Sequence, residues 1–100
     1  MPWKTAEHKR LAIKEVERAG GSGEVGRKAI RFRCAMYWAG TAVGWVPGAR
    51  INESDAMREI TIATGLTAMM NEATAVVIAN DGRGWESAVE VLRSIPVEGE

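Results

Sequence analysis

An all-α fold is what this sequence predicts: a compact bundle of about five short helices around one core. Three observations predict it. Apolar residues recur at helical spacing through most of the chain. Alanine, the best helix former, is the commonest residue at 15 of 100. Breaks bearing Gly or Pro separate the periodic stretches. Only three Leu and one Phe are present, so the large core side chains must be Trp3, Trp38, Trp45, Trp85, Tyr37 and Phe32.

The first helix is expected over 5–19. Thr5 can cap it, Ala12, Val16 and Ala19 line one face with Ile13 beside them, and Gly20-Gly21-Ser22-Gly23 ends it as a flexible connector. The second is expected over 24–43, because Val25, Ala29, Phe32, Met36, Ala39 and Val43 are spaced by 4, 3, 4, 3 and 4 residues. Arg27, Lys28 and Arg31 then fall opposite that stripe, and Ile30, Cys34, Tyr37 and Trp38 form a second apolar arc. Val46-Pro47-Gly48-Ala49 reads as a type II turn. Asn52 or Ser54 can cap a third helix over 54–64, and Gly65 can close it.

Thr67 can cap a fourth helix over 68–80, with Met69, Ala73 and Val76 as its stripe and Met70 and Val77 adjoining. The β-branched run at 73–79 leaves a short buried strand as the alternative. Asn80-Asp81-Gly82 reads as a stop. Trp85, Ala88, Val89, Leu92 and Ile95 predict a last amphipathic helix before Pro96, and Ser94 to Glu100 reads as a frayed end. One helical domain therefore spans 1–100.

The net charge is zero, but the charges are sorted. Residues 1–52 carry ten Lys/Arg and four Asp/Glu; residues 53–100 carry three Arg and nine Asp/Glu. Either the halves neutralise each other on packing, or the molecule offers a charged face to a partner. A single cysteine, Cys34, allows no internal disulfide. The N-terminus has charges where a signal peptide needs an apolar run. The longest uncharged stretch, Cys34 to Ala49, has 16 residues and contains Pro47, short of the ~20 a spanning helix needs. A cytoplasmic protein without a membrane partner is expected.

No catalytic or cofactor set emerges. One His and one Cys cannot supply a structural zinc site, and Asn52-Glu53-Ser54-Asp55 lacks the calcium-loop pattern. Cys34 reads as a small hydrophobe, although Arg33 could lower its pKa, and His8 as a solvated residue. Glu86 and Glu90, like Asp55 and Glu59, lie one turn apart on one helix face, whereas hydrolytic pairs work across a cleft. Gly21-Ser22-Gly23-Glu24-Val25-Gly26 matches G-x-G-x-x-G, but a charged helix precedes it where a strand is required. No cofactor, no metal and no enzymatic activity are expected.

Two kinds of charged surface remain. Glu72, Asp81, Glu86 and Glu90, with Asp55 and Glu59 adjoining and Trp85 or Trp45 as anchor, form a candidate protein-binding face. Arg27, Lys28, Arg31 and Arg33 form the alternative, a nucleic-acid-binding stripe. A helix-turn-helix over 56–79 is disfavoured, because its reading helix at 68–79 has Glu72 as its only charge. A homodimer paired through Ile30, Cys34 and Trp38 is the third option.

In size, charge segregation and lack of a catalytic constellation, the chain resembles small phage-encoded inhibitors, the all-helical anti-CRISPR proteins among them. The resemblance is one of overall character and carries no residue across. It implies a non-enzymatic protein that occupies a surface on a large host nucleoprotein defence complex and blocks DNA access.

Overall fold

The computed structural model describes residues 3–27, 33–50, 52–66 and 70–99. Five α-helices make up the fold, with no named strand among the described residues. The first, α1 (Ala6–Gly21), begins where Thr5 turns extended and its hydroxyl accepts the His8 N–H at 3.0 Å. It buries Ala12, Ile13, Val16 and Ala19. It also runs through Gly20 and Gly21, which the sequence reads as connector. Gly20 is placed there for contact: a Cβ would stand 2.1 Å from Cδ2 of Trp85, so the indole lies directly on the helix backbone.

The continuous helix expected over 24–43 does not form. The second helix, α2, spans only Ala35–Ala42, and Cys34 is its N-cap. Glu24 to Gly26 are not helical, and Arg33 adopts a left-handed φ of 62°. The Gly26 N–H donates to the Arg33 carbonyl at 2.9 Å, and the Asn80 side-chain amide donates to the Gly26 carbonyl at 2.8 Å. Those two bonds close the segment at its base and pin it to the fourth helix. The apolar stripe therefore reaches the core from two separate pieces of chain: Met36 and Ala39 are buried on α2, and Val25 packs against the core from the loop. Ala29, Ile30 and Phe32 lie outside the described residues.

Trp45 follows α2 and is buried. Gly44 takes the positive φ in this connection, 99°. Gly48 is not among the positive-φ glycines, so the expected type II turn is absent. The third helix, α3 (Glu53–Thr64), is capped by Asn52, whose side-chain oxygen accepts the Asp55 N–H at 2.8 Å. Gly65, at φ 93°, ends it. It buries Ala56, Ile60, Thr61 and Thr64, and the threonine hydroxyls donate back to helix carbonyls. A Cβ on Gly40 would stand 2.8 Å from Cγ1 of Ile60, so α2 and α3 approach closely through that glycine.

The run at 73–79 is helical: α4 spans Met70–Arg83. It passes straight through Asn80-Asp81-Gly82. The stop comes at Gly84, φ 109°, whose N–H donates to the Ala79 and Asn80 carbonyls at 3.2 and 3.1 Å. The expected cap Thr67 lies outside the described residues. The last helix, α5 (Trp85–Ser94), follows at once and buries Ala88, Val89 and Leu92. It packs on α4 and on α1; α2 packs on α1, α3 and α4.

The C-terminal segment is not frayed. Trp3 and Val97 form a parallel bridge, with the Trp3 N–H donating to the Pro96 carbonyl at 2.9 Å and the Glu98 N–H to the Trp3 carbonyl at 2.8 Å. Trp3 itself is 0 % exposed, and its indole N–H donates to the Leu92 carbonyl at 3.2 Å. The Lys9 ammonium donates to the Ile95 carbonyl at 2.7 Å, where cationic charge suits a helix C-terminus. Burying that indole gives the two chain ends their reason to meet.

Candidate interaction site

The sequence proposes two acidic groups, one carried by α4 and α5 and the other by α3. Glu86 and Glu90 stand exposed on α5, on the side away from Ala88, Val89 and Leu92. Neither makes an ion pair among the described residues. Asp81 and Glu72, both half-buried, lie on α4, which packs on α5. Asp81 also accepts the Asn80 side-chain amide at 3.3 Å. Trp85, named as an anchor, is half-buried with its indole on Gly20.

The carboxylates of α1 behave differently from those of α5. Glu7 pairs with Arg10, Glu15 and Glu24 both pair with Arg18, and Glu17 pairs with Arg93 of α5. The hydrogen bond from Arg10 holds the Glu7 carboxyl below its ordinary pKa, and those from Ser22 and Arg18 do the same for Glu24. Much of the basic charge on α1 is thus spent on acids of its own half. The Glu17–Arg93 pair uses an acid of the basic half and a base of the acidic half, so it does not cancel the segregation.

Asp55 and Glu59 belong to a second place. Asp55 accepts from the Asn52 amide at 3.0 Å and from Arg58 at 3.2 Å. Glu59 accepts the Trp45 indole N–H at 3.0 Å. Beside them lies a cleft of about 610 Å³, lined by Tyr37, Trp45 and Pro47 on one side and by Asn52, Glu53 and Asp55 on the other. Tyr37 and Trp45 meet edge to face, centroids 5.5 Å apart, and Tyr37 meets Trp38 the same way at 5.2 Å. Sequence reasoning missed this cleft. Its signal was the aromatic pair flanking Gly44 with Pro47 and two acids close behind, but the pair reads as core until the fold leaves Tyr37 half-buried.

The described members of the basic stripe, Arg27 and Arg33, lie outside the helices. Arg27 and Arg33 are exposed at the two ends of the segment closed by the Gly26–Arg33 hydrogen bond, and Lys28 and Arg31 lie outside the described residues. The Arg33 guanidinium sits 5.8 Å from the centre of the Tyr37 ring. Of the residues offered for dimer pairing, Cys34 and Trp38 are buried within the chain, and Ile30 lies outside the described residues.

Burial pushes the Cys34 thiol pKa up, against opposing backbone hydrogen bonds at the start of α2. His8 is half-buried, not solvated, and its Nδ1 has no hydrogen-bond partner among the described residues. Among the described residues there is no cluster of three His, Cys, Asp or Glu that could hold a metal. No helix among them is long and apolar enough to cross a membrane.

No protein-family model, curated protein or solved structure matches this chain.

Proposed function

We propose that this protein is a non-enzymatic binder whose acidic α4–α5 face occupies a basic, nucleic-acid-binding groove on a larger partner complex and blocks access to it. The carrying observation is the contrast on the surface: among the described residues Glu86 and Glu90 stand exposed without ion pairs, while each glutamate of α1 has an arginine. Like charges one turn apart cost an isolated helix about 0.2–0.5 kcal/mol. A surface that leaves these two glutamates without an ion pair among the described residues presents negative charge to a partner. Such a face speeds encounter with a positively charged groove and makes affinity fall with salt. The resemblance in character to phage-encoded anti-CRISPR inhibitors belongs to this same proposal, with a host defence complex as the partner.

The test is charge reversal. The wild-type chain and its Glu86→Lys/Glu90→Lys variant are used for affinity capture from the native cell, and binding to the recovered complex is measured against salt. Loss of affinity and a shallower salt slope in the variant support the reading. Unchanged affinity and slope defeat it. Salt-sensitive binding of duplex DNA by the chain alone, weakened by Arg27→Ala, favours the nucleic-acid alternative instead.

A further inference from the structure

We infer that Arg27 is a built-in counter-charge for the acidic face: it screens Glu86 in the free protein and gives way to the cationic segment of a partner. This rests on the reading of α5 as the binding face and adds its regulation. Asn80 sets the contact up. Its side-chain amide donates to the Gly26 carbonyl at 2.8 Å, and its backbone carbonyl accepts the Gly84 N–H at 3.1 Å. One residue, 1 % exposed, thus ties the foot of the basic segment to the junction between α4 and α5.

Arg27, next in the chain, reaches that junction. A Cβ built on Gly84 would lie 4.0 Å from Nη2 of Arg27 and 3.6 Å from Oε1 of Glu86. The two charged groups flank one point, so they fall within a Debye length of each other, about 8 Å at physiological salt. Gly84 adds no side chain between them, and its φ of 109° resists replacement by a residue that would. Arg27 belongs to the basic half of the sequence and Glu86 to the acidic half, so the contact joins opposite ends of the charge segregation.

The contact is loose. Arg27 and Glu86 are both exposed, and no ion pair joins them among the described residues. Unit charges about 7 Å apart in water attract with an energy equivalent to about a two- to threefold factor in an equilibrium constant. That is enough to compete for Glu86 with a single cation and too little to hold it against a partner that brings several.

The experiment titrates the full chain, labelled with nitrogen-15, with a capped hexalysine peptide at low salt and follows the Glu86 and Glu90 amide resonances. Arg27→Gln binds the peptide about two- to threefold more tightly than the wild type. Lys14→Gln, which removes an exposed cation from α1, gains less. In a Glu86→Gln background, Arg27→Gln changes nothing. Without peptide, Glu86→Gln moves the Arg27 side-chain Nε–H resonance, and Glu90→Gln moves it less. Circular dichroism confirms that the variants keep their helices. The inference is overturned if Arg27→Gln binds no more tightly than the wild type, if Lys14→Gln gains as much, if the gain survives Glu86→Gln, or if the Arg27 resonance ignores Glu86→Gln. Failure of the α5 reading looks different: Glu86→Lys/Glu90→Lys leaves affinity for the recovered complex unchanged, while Arg27→Gln still tightens the peptide.

Discussion

Gly20 shows how much one absent side chain decides. The Trp85 indole occupies the space a Cβ would need, at 2.1 Å, whereas nothing lies within 4 Å of a Cβ on the neighbouring Gly21. Gly20→Ala is therefore expected to destabilise by about 1–3 kcal/mol through overpacking. Gly21→Ala is expected to stabilise by about 0.4–1 kcal/mol through lost unfolded-state freedom. Urea denaturation of the two variants checks the contrast. In sequence the two glycines look alike, because the residue that tells them apart sits on another helix. Cys34 was easier to read. A lone cysteine among apolar neighbours suggests an inert side chain, and it is 1 % exposed with its pKa raised by burial. Native protein is expected to react with a thiol reagent far more slowly than protein unfolded in urea, followed by released chromophore.

The helices that were legible carry their own punctuation. Thr5, Asn52 and Gly65 cap α1 and α3 as their residue types predict, and α5 declares itself by its apolar spacing. The helices that were misread are those whose limits depend on tertiary contacts. A stripe at 4-3-4-3-4 spacing spans 24–43, yet Arg33 at φ 62° interrupts it, held by a bond to Gly26 that Asn80 secures from α4. The same Asn80 looks like part of a stop signal, but its side chain is consumed by that loop, 1 % exposed, so α4 continues past it. Asn80→Ala is expected to cost about 1–3 kcal/mol by leaving the Gly26 carbonyl without its partner. Hydrogen exchange at the Gly26 amide should quicken more than exchange within α3. Neither half of the Tyr37–Trp45 cleft was legible for the same reason: it exists only once α3 leans on α2.

For the molecule as a whole, the Cα radius of gyration of 11.8 Å matches a single packed domain of this length, about 13 Å by the usual scaling. Trp3 is the most distant contributor to that core in sequence and among the most buried. Trp3→Ala is expected to cost about 3–5 kcal/mol, a large share of a domain's roughly 5–15 kcal/mol, and a thermal melt reads it directly. The exposed ion pairs of α1 set a milder dependence on acidity. Glu7 and Glu24 titrate below 4.5 in the folded chain. Their contribution is thus complete above that value and is lost as pH falls through the lowered folded values. Denaturation at about pH 6 and about pH 3 should show the loss, and Glu7→Gln with Glu24→Gln should reduce it. The Trp3–Val97 bridge has a further consequence for the topology of the polypeptide. Positions 3 and 97 lie side by side but run the same way, so a linker of roughly a dozen residues that doubles back from 97 to 3 would give a ring without displacing any helix. A new opening cut at Gly48 would then yield a circular permutant of the same fold, with fresh ends on the rim of the aromatic cleft.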